Sequence, residues 1–123
     1  STYDREGKIG EAISQLEKIA PANADQPKIL FELGLLYYRA SRKADSFNVL
    51  QRAVMLSPQF ANARWYLALI YEERRDLPSA IQQLEKILET NKGNEIVLAE
   101  LNKVRSGKPS IPPAKVLDRQ PLQ

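Results

Sequence analysis

Apolar residues along this chain fall into stripes of helical spacing separated by short polar breaks. Ala12, Ile13, Leu16 and Ile19 stand at i, i+1, i+4 and i+7, one face of a helix expected over Ile9 to Ala20. Leu30, Leu33, Gly34 and Tyr37 mark a second helix from Pro27 to Ala40, with proline in the first turn, where its missing N–H is not needed. Phe47, Leu50, Ala53 and Val54 mark a third, from Lys43 to Ser57. Ser57-Pro58 reads as an N-cap and first helical position, opening a helix that ends near Arg74 and carries Trp65, Leu67, Ala68, Ile70 and Tyr71. Asp76 caps a helix from Leu77 to Glu89, with Ala80, Ile81, Leu84, Ile87 and Leu88 on its inner side. Ile96, Val97, Leu98, Leu101 and Val104 predict a last helix from Glu95 to Arg105.

These stripes repeat. Tyr3, Tyr37 and Tyr71 share one spacing of about 34 residues, the length of a two-helix unit that buries its core by stacking on copies of itself. In the same register Ala12 meets Ser46 and Ala80, Leu16 meets Leu50 and Leu84, and Ile19 meets Ala53 and Ile87. Leu33-Gly34-Leu35 likewise meets Leu67-Ala68-Leu69, with no insertion. Boundaries follow: a partial repeat at 1–26, repeats at 27–60 and 61–94, and a helix at 95–106. That last helix has no following partner and carries Asn102 where Gly34 and Ala68 stand in the earlier copies, which suits the cap of a stack. Tyr3 would sit late in the first helix of a repeat whose beginning is missing, so the chain is expected to be a fragment of a larger protein. Residues 107–123 contain Pro109, Pro112, Pro113 and Pro121 and predict an extended, polyproline-like tail.

Composition narrows the chemistry. Among 123 residues there is no cysteine and no histidine, which removes disulfides, thiol nucleophiles, most catalytic triads and the commonest metal ligands. No catalytic residue, metal site or cofactor is therefore assigned, and no enzymatic role is expected. Adjacent carboxylates such as Glu72 and Glu73 are expected on an open helix face, where nothing would raise a pKa for acid–base work. The net charge of +3 is slight and the charges are intermixed, so nucleic acid is not an expected partner. No apolar run approaches the roughly 20 residues of a membrane span, and no insertion into a bilayer is expected. The absence of cysteine leaves cytoplasm and periplasm equally open.

Leu30-x-x-Leu33-Gly34-x-x-Tyr37, followed by Ser46-x-x-x-Leu50-x-x-Ala53 and Pro58, resembles the tetratricopeptide repeat signature. Leu67-Ala68-x-x-Tyr71 and Ala80-x-x-x-Leu84-x-x-Ile87 repeat it, and Tyr3, Gly7, Ala12, Leu16 and Ile19 supply half a copy. Arg64 departs from the large residue expected there, with Trp65 displaced by one position, and Lys92 stands where Pro58 predicts proline. The resemblance covers about residues 1–105 and implies an all-α fold, a right-handed superhelix of helical hairpins comprising about two and a half repeats and a capping helix. Insertion-free copies of this kind look similar to bacterial members, often appended to larger assembly or envelope proteins.

The resemblance also implies a function: first helices of each repeat line a concave surface that binds peptide segments of other proteins. Carried over by register, the peptide-binding positions are Lys28, Phe31, Leu35, Tyr38 and Arg39, then Asn62, Trp65, Leu69, Glu72 and Glu73, with Ile96, Ala99 and Lys103 from the last helix. Phe31, Tyr38, Trp65 and Leu69 would make an aromatic groove suited to proline-rich or apolar extended ligands. One subtype clamps a C-terminal carboxylate with lysines and asparagines, but Leu35 and Leu69 occupy the asparagine places, so that clamp is not expected. The alternative is a structural spacer or self-association module, a homo-oligomer or a closed monomer, in which Ser110-Ile111-Pro112-Pro113 fills the groove of its own or a sister chain.

Overall fold

The structure, a computed structural model, describes residues 2–107, with side chains from residue 6 onward. Expectations for the proline-rich tail and for the side chain of Tyr3 lie outside the described residues. Among those residues the chain forms six α-helices, one 3₁₀ turn and no strand. They are α1 (Thr2–Ile19), the 3₁₀ turn Ala20–Asn23, α2 (Pro27–Arg39), α3 (Lys43–Leu56), α4 (Ala61–Glu73), α5 (Leu77–Thr90) and α6 (Glu95–Arg105). The boundaries carry the period seen in the sequence: α2, α4 and α6 each begin about 34 residues after the one before, as do α3 and α5.

Two boundaries differ from expectation. Ser57 does not open α4; it ends α3, its N–H donating to the Ala53 carbonyl at 2.8 Å. Pro58 and Gln59 form a turn, and Phe60, with ψ of 85°, is the residue before α4, its carbonyl accepting from Arg64 N–H at 3.2 Å. A proline after a helix stops it as readily as a proline begins one. The second difference is α1, which runs unbroken through Gly7 and Gly10. Gly7 stands in the register of Ser41 and Arg75, which take φ of 62° and 61° and end α2 and α4. At those two ends the bonds pair Arg42 N–H with Tyr37 O (2.8 Å) and Ser41 N–H with Tyr38 O (3.1 Å). The same pair recurs from Asp76 to Tyr71 O (2.9 Å) and from Arg75 to Glu72 O (3.0 Å), a Schellman closure without its usual glycine. A Cβ at Gly7 would meet nothing within 4 Å.

The chain's contacts divide it into two units, Ser1–Pro58 and Gln59–Gln123. In the first, α1 packs on α2 through Ile13, Leu33 and Tyr37, with Ile9, Leu16, Leu36 and Val49 around them. The Tyr37 hydroxyl donates to the Glu17 carboxylate, and the Arg42 guanidinium lies 4.5 Å from its ring centre. Burial first, then the Glu17 carboxylate, pushes the phenol up to about 12. Helices α2 and α3 meet at Gly34, where a Cβ would lie 2.7 Å from Leu50 Cγ and Cδ2. Ser46, fully buried, donates its hydroxyl to the Gly34 carbonyl at 2.7 Å, so the close approach leaves no polar group unmatched.

In the second unit α4 packs on α5 and α5 on α6. Ala68 and Ala80 take the places of Gly34 and Ser46, and Leu84 that of Leu50; all three are buried. Asp76 caps α5 as expected, accepting from Ser79 N–H and Oγ–H, and Asn94 caps α6 by accepting from Val97 N–H at 3.1 Å. On α6, Val97, Leu101 and Val104 are buried while Asn102 is exposed.

Replacing Gly34 with leucine should lower unfolding free energy by at least the roughly 1–3 kcal/mol of overpacking, since Leu50 has no space to retreat into. Gly7→Ala should do the reverse, raising stability by about 1 kcal/mol through helix propensity. Urea titrations of both variants check the pair, and a Gly7→Ala loss would mean that residue 7 turns as Ser41 and Arg75 do.

Candidate functional site

Helical spacing places Asn62, Trp65, Leu69 and Glu72 on one face of α4, over about 15 Å of its length. The matching face of α2 holds Lys28, Phe31, Leu35 and Tyr38, with Arg39 beside them. The aromatic members of these sets and Glu72, the last of which was expected on an open helix face, are closed to solvent. Trp65 and Leu69 are 0% exposed and Glu72 3%, while Phe31 and Tyr38 are 8% and 7% exposed. Leu35 and Asn62 are half-buried; Lys28, Arg39, Glu73, Ala99 and Lys103 are exposed, and Ile96 is half-buried. Tyr38 is also spoken for, because Lys43 Nζ of α3 lies 4.3 Å from its ring centre.

What the α4 face holds instead is a row of buried polar atoms without partners. Asn62 Oδ1 and Trp65 Nε1 make no hydrogen bond, and the Glu72 carboxyl has no partner but the Glu100 carboxyl of α6. Glu100 is itself only 2% exposed. Fewer than a tenth of buried polar atoms in folded proteins lack a partner, and each costs about 1–3 kcal/mol. Two such atoms beside a buried carboxyl pair, on two helices of one unit, make an unusual concentration.

Glu72 and Glu100 bear on each other. Burial pushes the Glu72 carboxyl well above the usual carboxylate range, and the neighbouring Glu100 carboxyl pushes it further. Lys103 of α6 pulls the other way but makes no ion pair with either group among the described residues. The expectation that Glu72 and Glu73 share an open face with ordinary acidity thus fails at Glu72: the helix turns residue 72 inward and 73 outward. Glu100 was not singled out from sequence. The available signal was its register, since the copy before it places the fully buried Tyr66 there.

A raised carboxyl pKa has a definite sign in stability. Between the ordinary value of 4.5 and the raised one, the folded state holds a proton that the unfolded state has released. Stability should therefore fall as pH rises through that window, by at most about 1.4 kcal/mol per pH unit for one group. Glu72→Gln should flatten this dependence and raise the urea midpoint at pH 8 above that of the parent. An unchanged slope in the variant would place the titration elsewhere.

Comparison with known proteins agrees with the helical pattern. Residues 1–59 and 31–95 match the tetratricopeptide repeat profile. The chain is 33% identical over 63 residues to the uncharacterized protein ycf37 of Pyropia yezoensis, a match covering 51% of this chain and 35% of that protein. It thus spans about a third of the length of this curated relative. Among solved structures it is similar to the first tetratricopeptide domain of Spaghetti (RPAP3) bound to the HSP90 peptide SRMEEVD, with a TM-score of 0.76 at 24% identity, covering 86% of this chain and 84% of that one. It is also similar to MamA, with a TM-score of 0.74 at 24% identity, covering 98% and 66%. Repeated signature, period of the helices and matched profile agree: the chain belongs to the tetratricopeptide repeat family.

Proposed function

We propose that this chain is a protein–protein interaction module whose α4 face takes an extended peptide segment of a partner protein. The observation that carries this reading is the unpaired pair of atoms at Asn62 Oδ1 and Trp65 Nε1, because an extended main chain offers the N–H and C=O groups that they lack. Register alone extends the role to Lys28, Phe31, Leu35, Tyr38 and Arg39 on α2 and to Ala99 on α6. A peptide on the related Spaghetti domain supports the ligand class. The acidic character of that peptide does not carry over, since its carboxylates would face Glu72 and Glu100. No catalytic step is assigned to any residue.

Because the row is closed to solvent, binding requires it to open, and the sole tryptophan reports the event. Panning the full chain against a displayed random peptide library should recover extended sequences that change Trp65 emission saturably. Asn62→Ala, at a half-buried position, should weaken them several-fold while leaving the thermal midpoint within a few degrees. Recovered peptides that bind the variant equally would remove the α4 face from the reading.

A further inference from the structure

The last helix of the chain leaves open a side that its earlier copies cover. In α2 and α4 that side meets the following helix. Gly34 lies against Leu50, and the Arg64 guanidinium donates to Gln83 Oε1 at 2.9 Å. One copy along, α6 carries Leu98 in the register of Leu30 and Arg64, and Asn102 in that of Gly34 and Ala68. Leu30, Gly34 and Ala68 are buried, whereas Asn102 is exposed and Leu98 is 39% exposed. An apolar side chain thus stands open at a position that the first copy buries.

Sixteen residues follow Gly107, outside the described residues, and the register of the repeat continues through them. Ser110-Ile111-Pro112-Pro113-Ala114 falls on Asp76-Leu77-Pro78-Ser79-Ala80, the cap and first turn of α5. Pro112 takes the place of Pro78, which α5 holds within its first turn. Pro113 follows it among positions whose N–H groups have no partner inside a helix. Pro109 falls on Arg75, which takes φ of 61°, an angle closed to proline. The left-handed turn comes two positions earlier instead, at Gly107 with φ of 78°, and α6 has 11 residues where α2 and α4 have 13. Prolines counted together predict an extended tail; placed in register, they predict the start of a helix.

The chemistry of this segment matches the open side of α6 at two places. Leu30 with Val49, Arg64 with Gln83 and Leu98 with Leu117 occupy one place in successive copies, apolar, then polar, then apolar again. Gly34 with Leu50 and Ala68 with Leu84 set a small residue against a large one. Asn102 with Asp118 sets two residues of middle size there, an amide donor against a carboxylate. Ala114 repeats the small side chain of Ser46 and Ala80. A tail unrelated to α6 would have no reason to agree with it at both places. We propose that residues 111–120 form a further helix packed on α6, with Leu117 over Leu98 and Asp118 beside Asn102. Pro121 ends it. The segment completes a repeat and is not a ligand of the α4 face, which stays available to a separate protein.

The chain has no cysteine, so introduced pairs report proximity directly. In the first complete copy a Cβ at residue 34 would lie 2.7 Å from Leu50 Cγ, which puts the two Cβ positions within reach of a disulfide. Asn102→Cys with Asp118→Cys, in the full chain under a glutathione redox buffer, should therefore close a bridge within one chain. Asn62→Cys with Asp118→Cys, the control for a tail lying on the α4 face, should stay open. A bridge in the control pair overturns the proposal in favour of that face. A bridge between two chains in the first pair overturns it in favour of a second copy, and no bridge in either pair overturns it outright. Hydrogen exchange gives a second measurement without cysteines. Amides of residues 115–120 should exchange at least about tenfold more slowly in the parent than in Leu98→Glu, with those of α4 and α5 unchanged. Leu98 is exposed on α6, so this substitution should leave the six described helices intact. Equal exchange in parent and variant overturns the seat on Leu98.

Discussion

Helix pairs in this chain approach at points where only a very small side chain fits, and the rest of the structure follows from that approach. At Gly34 the backbone of α2 comes so near Leu50 of α3 that a single added carbon would overlap it. Ala68 with Ala80 repeats the arrangement between α4 and α5. Close approach turns the large apolar residues beside these points toward one another, so Leu50, Leu67 and Leu84 lose essentially all contact with water. Burying each such side chain is worth about 1.5–3 kcal/mol, the main favourable term for helices of this length, which would be marginal alone. Ser46 shows how narrow the tolerance is. A hydroxyl is accepted at this point because the carbonyl of Gly34 is there to receive it.

The same economy of space explains why the candidate site lies where it does. Each helix of a pair gives one side to its partner, and in α4 a different side carries Asn62, Trp65, Leu69 and Glu72. The register there holds lysine, phenylalanine, leucine and tyrosine on α2 and asparagine, tryptophan, leucine and glutamate on α4, so the two inner positions keep their chemistry and the two outer ones do not. The positions that vary are the ones that bring an amide and a carboxyl to α4. The unpaired indole N–H and amide oxygen are destabilising as they stand, and a ligand that supplied their partners would relieve that. Stability and recognition are thus set by different sides of one helix.

Much of this was legible before any coordinates. The period, the helix pairs, the small residues at the close approaches and the cap at Asp76 were all present as pattern, because each depends on neighbours a few residues away or one copy along. Helix α6 was bounded at Glu95 and Arg105 in both readings. Errors arose where a residue has two local meanings. Ser57-Pro58 can close one helix or open the next, and the hydrogen bond to Ala53 decided for closure. Gly7 can turn or continue, and the helix Thr2–Ile19 runs on through it.

What the amino-acid order determined by itself is the repeat: two helices, a fixed spacing, and which sides of them must be buried, all consequences of side-chain size and helical geometry. What only tertiary structure decided is the environment of the remaining side. Trp65 and Leu69 looked like groove-lining residues and are closed to water, and Glu72 looked like an ordinary surface acid. The pairing of Glu72 with Glu100 joins residues about one repeat apart on different helices, and neither residue's own neighbourhood announces it. Periodicity says which way a side chain points; whether water, a carboxyl group or nothing polar awaits it there depends on distances in space that a linear pattern does not carry.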